Sequence, residues 1–317
     1  MNPKISVIVP VYNAEKYIEQ CARTLFEQTL DNIEYIFVND CTSDNSISIL
    51  EDVINKYPNR FNQVKIIHHK QNQGQAGARN TGMQAMSGEY MIHCDPDDWV
   101  ELDMYELMYN KAIETDADII TCNWILEYQQ QQIFQDLTYA TTPRDSLLQC
   151  KYNPSLVNKL IRAEIIRRNS IYPYQNINCG EDLNVSIRAL FYSKTISHLN
   201  IYPYHYRMHL SSITHNDHKR LFYEAHKPNA EKLCNFLKTN GGDEFRITSM
   251  YIKFIEKYGL ISTSCNDFKT WSKTWPECHK YIKYFPMPLR YRKIMSICAK
   301  HPTLLKLYYK YLNWRTK

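Results

Sequence analysis

Three carboxylates crowd the stretch Asp95-Pro96-Asp97-Asp98, directly after the apolar run 90–94. Like charges this close repel one another unless a cation or solvent relieves them. Clustered Asp oxygens also hold a hard divalent cation against a diphosphate. A solvated turn is the plain alternative on spacing alone. Two other apolar runs end in polar groups: residues 5–10 lead into Val11-Tyr12-Asn13, and residues 35–38 into Asn39-Asp40. An aromatic ring such as Tyr12 stacks on a base, and a carboxylate such as Asp40 accepts the imide N–H of uracil. Taken singly, Asp40 and Asp44 read as turn or capping residues. Together with the aspartate cluster they make one polar edge.

The elements that must position these groups follow a βαβα rhythm. Residues 5–10 are continuously apolar, as in a strand covered on both faces of a mostly parallel sheet. Tyr17, Ile18, Cys21 and Leu25 then recur at helical spacing behind Asn13. Residues 35–38, 64–67, 90–94 and 118–122 read as further strands. Ile47, Leu50, Val53, Ile54 and Tyr57 mark a helix that Pro58 helps to close, and residues 74–86 and 102–113 mark two more. This alternation predicts a doubly wound α/β sheet, whose ligands bind at the carboxyl ends of the strands. From 124 to about 206 the pattern turns mixed, with a helix starting near Glu181. Beyond about 218 it reads as helical and aromatic-rich.

The ordered motifs resemble the family 2 glycosyltransferases of GT-A fold. The resemblance is densest over residues 4–125. It is carried by Ser6-Val7-Ile8-Val9-Pro10-Val11-Tyr12-Asn13, Val38-Asn39-Asp40-Cys41-Thr42-Ser43-Asp44, Gln73-Gly74-Gln75-Ala76-Gly77-Ala78-Arg79-Asn80-Thr81-Gly82, and Cys94-Asp95-Pro96-Asp97-Asp98-Trp99. Further on, Asn158-Lys159-Leu160-Ile161-Arg162 and Gly180-Glu181-Asp182 are similar to acceptor-side motifs. Tyr206-Arg207 with Ser211-Ser212-Ile213-Thr214 is similar to the closing loop. One motif departs: the family's Asp-Asp-Gly-Ser is here Asn39-Asp40-Cys41-Thr42, with the base-contacting acid retained.

The resemblance implies a mixed, mostly parallel sheet flanked by helices, with a helical C-terminal extension. It implies inverting transfer from a UDP-sugar to a hydroxyl of a lipid-linked or growing envelope glycan. Pro10, Tyr12, Asn13, Asp40, Arg79, Asn80 and Asp95 are then expected to bind the nucleotide sugar, with Arg207 and Ser212 closing over the diphosphate. Asp97, with Asp95, is expected to hold Mn²⁺ or Mg²⁺. Asp182 is the expected general base, with Glu181 beside it, and Lys159 and Trp99 fall on the acceptor side. Lys159 and Arg162 also read as solvated helix charges. The chemistry asks for both carboxylate sets: one takes the proton of a weak hydroxyl nucleophile, and the other anchors the charge on the departing diphosphate.

Rival readings are a metal-dependent nucleotidyltransferase and a catalytically inactive glycan-binding relative. Pro10-Val11-Tyr12-Asn13-Ala14 is neither Gly-rich nor basic, against the first. The joint presence of Asp95, Asp97 and Asp182 speaks against the second. Gly74, Gly77 and Gly82 do not fit a dinucleotide fingerprint, and His205, His209, His215 and His218 lack the partners of a zinc site.

Charge is unevenly spread. No acidic residue follows Glu277, while ten Lys or Arg do; removing these from the net +5 leaves the first 277 residues negative by about five. The tail interleaves its cations with Tyr281, Tyr284, Phe285, Tyr291, Tyr308, Tyr309, Tyr311 and Trp314. That composition suits an anionic membrane surface or a helix packed on the main domain with snorkelling Lys; no nucleic-acid module is recognisable. Ten cysteines without metal spacing, no leader and no apolar run of spanning length predict a cytoplasmic protein, peripheral on the inner face of the cytoplasmic membrane. The expected domains are residues 1–215 and 216–317.

Overall fold

A computed structural model of the protein describes residues 2–177, 179–208, 219–257, 260, 267–301, 304, 307 and 308. The chain divides into two compact units. One comprises Met1–Arg144 and Tyr152–His209; the other comprises Asp145–Lys151 and Leu210–Lys317.

The first unit is built on a nine-stranded mixed sheet. Strands β1 (Ile5–Val11), β2 (Ile33–Asn39), β3 (Val64–His68) and β4 (Tyr90–His93) pair in parallel in the order 3-2-1-4. They are separated by helices α1 (Ile18–Phe26), α2 (Ser46–Lys56) and α3 (Gly74–Ala85). After the short β5 (Trp99–Val100) and α4 (Met104–Thr115) come β6 (Ile119–Glu127), β7 (Gln132–Gln135), β8 (Lys159–Arg162) and β9 (Ile196–Arg207). Strand β8 inserts antiparallel between β4 and β6, β9 lies parallel to β6, and β5 closes the path antiparallel to β9. The α/β class with a mixed sheet flanked by helices is thus as expected.

Alternation along β1 assigns the two faces. Ile5, Val7 and Val9 join a core with Cys21, Leu25, Met104 and Met108 of α1 and α4. On the other face Gly82 of α3 lies so close to Ile8 that a Cβ would collide with its side chain. Glycine there sets how near α3 approaches the sheet. Helices α5 (Pro143–Leu148), α6 (Ala163–Arg168) and α7 (Glu181–Tyr192) follow in chain order.

The second unit carries α8 (Lys219–Gly241), α9 (Arg246–Glu256), α10 (Phe268–Lys273) and α11 (Leu289–Lys300). Its core gathers Phe254, Trp271, Cys278, Ile282, Phe285 and Met295. Lys257 is buried there and donates to the Thr274 carbonyl at 2.7 Å and, at 3.3 Å, to that of Trp271. No described helix is long and apolar enough to cross a membrane.

Candidate active site

The loops after β1 and β2 are locked together by Asp44. Its carboxylate accepts from the Glu15 amide (3.0 Å), the Thr42 hydroxyl (2.7 Å) and the Ser46 hydroxyl (2.6 Å). Hydrogen bonding pulls its pKa below the ordinary value even though burial opposes this. Thr42 in turn accepts from the Asn13 amide at 2.9 Å. Pro10 is buried within β1. Tyr12, the residue after β1, is 50% exposed. Asn39, which stands where the family's motif has an acid, caps the turn by accepting from the Thr42 amide at 2.9 Å. Cys41 then adopts φ 61°, the left-handed conformation that favours glycine. The loop therefore keeps a glycine's backbone without the glycine.

Asp40 is buried, and its Oδ1 faces His69 Nδ1 (2.7 Å) and the Gln73 amide (2.8 Å). His69 reaches on to the Thr81 hydroxyl at 2.8 Å. His69 is not legible as a partner from spacing, because nothing in the chain order links it to Asp40.

Arg79, on α3, is the electrostatic centre. Its side chain is 1% exposed, with Nη2 2.8 Å from Asp95 Oδ1, Nη1 2.8 Å from Asp182 Oδ1 and Nε 3.4 Å from Glu181 Oε1. The Asp95 contact is a true hydrogen bond; the Asp182 contact is a close ion pair whose N–H is not aimed at the oxygen. Burial disfavours the guanidinium's charge, but Asp182, Asp95 and Glu181 outweigh it and hold the pKa above its ordinary value. Asn80, the next residue, is half-buried and accepts from Gln84 at 3.4 Å.

The three aspartates after β4 divide their work. Asp95 is 18% exposed; burial, countered by Arg79 and reinforced by Asp97 and Glu181, pushes its carboxyl up to about 6. Asp97 is half-buried, and its carbonyl accepts from Arg207 Nε at 2.8 Å. Asp98 is fully committed to structure: Oδ2 accepts from the Tyr204 hydroxyl (2.6 Å) and Oδ1 from the Arg207 amide (2.7 Å). Tyr204 also accepts from the Asp95 amide at 3.2 Å, so β9 ties down the whole aspartate loop. Spacing alone did not single out Tyr204.

Helix α7 begins behind Gly180, whose φ of 76° turns the chain into it. Glu181 and Asp182 occupy its first turn, where the helix dipole favours negative charge. Glu181 is buried with a side chain 8% exposed, whereas that of Asp182 is 27% exposed. Burial raises the Asp182 pKa, and Arg79 works against that rise. His93, at the end of β4, is buried with neither ring nitrogen hydrogen-bonded. Burial and the nearby Arg79 drive its pKa well below the ordinary value, disfavouring the charged ring.

Arg207 has its guanidinium 5.0 Å from the centre of the Tyr17 ring and 4.5 Å from that of Trp99, and it donates to Gln20 at 2.6 Å. Trp99 stacks on His205, whose two ring nitrogens face Glu127 (2.7 Å) and Glu101 (2.8 Å). Lys159 is not a solvated helix charge. It lies in strand β8, fully buried, its ammonium donating to the Ser155 carbonyl and to Asn158 Oδ1. Arg162 is likewise in β8, paired with Asp116 and Asp118. Ser212, His209, His215 and His218 lie outside the described residues, as do Tyr309, Tyr311 and Trp314.

Residues 6–169 match Glycosyl transferase family 2. EpsH of Bacillus subtilis (strain 168), named as a glycosyltransferase, is 36% identical over 281 residues, covering 84% of this chain and 78% of EpsH. The chain belongs to glycosyl transferase family 2. Among solved structures, S. aureus TarS 1-349 in complex with UDP superposes with a TM-score of 0.68 at 20% identity, covering 97% of this chain and 91% of that one. TarS 1-349 has also been solved with UDP-GlcNAc. The mannosyltransferase PcManGT of Pyrobaculum calidifontis, in complex with GDP-Man and Mn²⁺, gives 0.56 at 14% identity, over 97% and 87% of the two chains. At these identities the likeness is one of fold, and it gives this family 2 chain the GT-A architecture.

A divalent cation is compatible with the donor set. Asp95 and Asp97 supply carboxylates at the strand end, while Asp98 is taken up by Tyr204 and Arg207. Among the described residues no three ligating side chains converge. Two carboxylates completed by a substrate's phosphate oxygens are a usual Mg²⁺ set.

Proposed function

We propose that this family 2 enzyme transfers a sugar from a UDP-sugar, with inversion, to a hydroxyl of a lipid-linked or growing envelope glycan. The observation that carries the reading is the double engagement of Arg79. It holds Asp95, from the strand-end loop, and Asp182, from the start of α7, each at 2.8 Å. A donor-side and an acceptor-side carboxylate are thereby set on either side of one buried cation.

In this reading Tyr12 stacks on the uracil and Asp40 accepts its imide N–H, with Pro10, Asn13, Asn80, Arg207 and Ser212 completing the nucleotide-sugar site. Asp97 and Asp95 would hold Mn²⁺ or Mg²⁺, which when bound would supply positive charge against the leaving diphosphate. Asp182 takes the proton of the acceptor hydroxyl as its oxygen bonds to the anomeric carbon, and UDP departs with the electron pair of the broken C–O bond. Glu181 keeps Arg79 charged, and Trp99 and Lys159 bound the acceptor side. That TarS has been solved with UDP and UDP-GlcNAc, and PcManGT with Mn²⁺, supports the donor and metal assignments.

The catalytic domain is taken as residues 1–215. Residues 216–317 form a basic extension that meets an anionic membrane from the cytoplasmic side. In it Leu289, Ile297, Leu304 and Leu307 are exposed beside Arg290, Arg292, Lys293 and Lys300. Calorimetry of UDP with and without Mn²⁺ tests the donor site: Asp97→Asn is expected to abolish the metal-dependent gain in affinity. A gain that survives the substitution refutes the assignment. Failure of the intact protein to sediment with anionic liposomes at low salt refutes the membrane contact.

A further inference from the structure

Asp40 is anchored through one carboxylate oxygen and open through the other. Its side chain is 3% exposed. Oδ1 is occupied by His69 Nδ1 at 2.7 Å and by the Gln73 amide at 2.8 Å. Oδ2 makes no hydrogen bond among the described residues, and it is not sealed from solvent. The accessible sliver of the side chain includes that oxygen.

His69 sets this asymmetry. A carboxylate only accepts hydrogen bonds, so the Nδ1 atom that faces it carries a proton. In the neutral ring the second nitrogen is then an acceptor, and Nε2 takes the Thr81 hydroxyl at 2.8 Å. Ring plane and tautomer are thus fixed from both ends. The His69 side chain is 6% exposed, and its amide donates to the Asn39 carbonyl at 2.9 Å, which ties its backbone to the end of β2. Asn72 donates through Nδ2 to the Asp40 carbonyl at 3.0 Å, steadying the backbone of the aspartate itself. Thr81 lies on α3, so the orientation of Asp40 is referred to the helix that also carries Arg79.

The terminal torsion of an aspartate is broad and roughly two-fold. A carboxylate without partners therefore presents either oxygen over a range of angles. Two donors on Oδ1 remove that freedom and leave Oδ2 as an acceptor in one direction. Uracil offers an imide N–H to such an acceptor. Cytosine offers a bare nitrogen lone pair at the same ring position, and it would leave the acceptor unpaired. A site built around one hydrogen bond rejects the analogue that lacks it.

We propose that His69 is a positioning residue for base selection, holding Asp40 so that the site takes a uridine nucleotide and rejects a cytidine one. The inference rests on the reading of Asp40 as the base-contacting acid. Thr81 supports it by fixing the tautomer.

Calorimetry of UDP and of CDP on the full chain, with Mn²⁺ present, tests the assignment. The two nucleotides share ribose and diphosphate, so the ratio of their affinities reports the base alone. Wild type is expected to favour UDP. His69→Asn keeps an N–H donor near the place of Nδ1, whereas His69→Gln carries its amide out to the place of Nε2. The preference for UDP should persist in the first and fall about tenfold in the second, the effect of losing one hydrogen bond to a charged group. His69→Phe keeps a ring without either nitrogen and should behave as His69→Gln does. If His69→Phe fails to fold, the contrast between Asn and Gln decides alone. A preference unchanged in the Gln and Phe variants overturns the role of His69. An equal loss in all three overturns it too, because lost packing gives that result. A wild type that binds UDP no better than CDP overturns the reading of Asp40 beneath it.

Discussion

Asp182 Oδ1 lies 2.8 Å from Arg79 Nη1, and the Asp182 side chain keeps 27% of its surface exposed. Glu181 leans on the same guanidinium at 3.4 Å but is almost wholly buried. Adjacent helical residues point about 100° apart, and here the accessible member of the pair is Asp182. We expect Asp182→Asn to leave UDP-sugar binding nearly unchanged and to lower kcat by about 10²–10⁴. Glu181→Gln should cost less in kcat. Near-normal turnover by Asp182→Asn with an inert Glu181→Gln transfers the base to Glu181.

Asp40 uses Oδ1 twice, toward His69 and the Gln73 amide, and makes no such bond through Oδ2 among the described residues. That oxygen is the expected acceptor for the uracil imide. Asp40→Asn should weaken UDP binding by about 1.5–3 kcal/mol, the worth of a charge-assisted hydrogen bond, and should affect GDP less. Equal losses for the two nucleotides in calorimetry place base recognition elsewhere.

Lys159 gives a stability prediction with a definite sign. Burial lowers its pKa to about 7, against about 10.4 for an unfolded lysine. Between those values the unfolded chain binds more protons, so this residue makes stability rise with pH across that window. Below pH 7 the charged ammonium is buried at a cost. Lys159→Met should flatten the slope and raise the urea midpoint most at pH 6. A variant whose midpoints at pH 6 and pH 9 shift equally argues that the ammonium is already solvated.

Cys41 holds φ 61° with a side chain. A left-handed non-glycine residue costs roughly 1–2 kcal/mol, and glycine's extra chain entropy returns roughly 0.5–1. Cys41→Gly should therefore stabilise the protein slightly, by about 0.5–1 kcal/mol, with unchanged UDP affinity. Destabilisation in urea titrations shows instead that the Cys41 side chain contributes packing.

Strands β1 and β4 of the parallel half were legible because each is a mostly apolar run ending in polar residues, as residues 5–13 show. Strand β8 was not. Lys159 and Arg162 are three apart, a helical spacing, and only the insertion between β4 and β6 makes a strand of them. Equally, nothing in Asp95-Pro96-Asp97-Asp98 separates Asp98 from its neighbours. Its structural role depends on Tyr204 and Arg207, more than a hundred residues away. The joining of Asp145–Lys151 to the second unit is invisible for the same reason.

The out-of-order position of β8 has a consequence for biosynthesis. Strand β4 is translated roughly seventy residues before the strand that covers its outer edge. At 5–20 residues per second, a nascent chain carries that edge bare for roughly 4–14 s. Unpaired strand edges recruit other strands, so polysomes, where sister chains grow side by side, are where this enzyme is most exposed to mispairing.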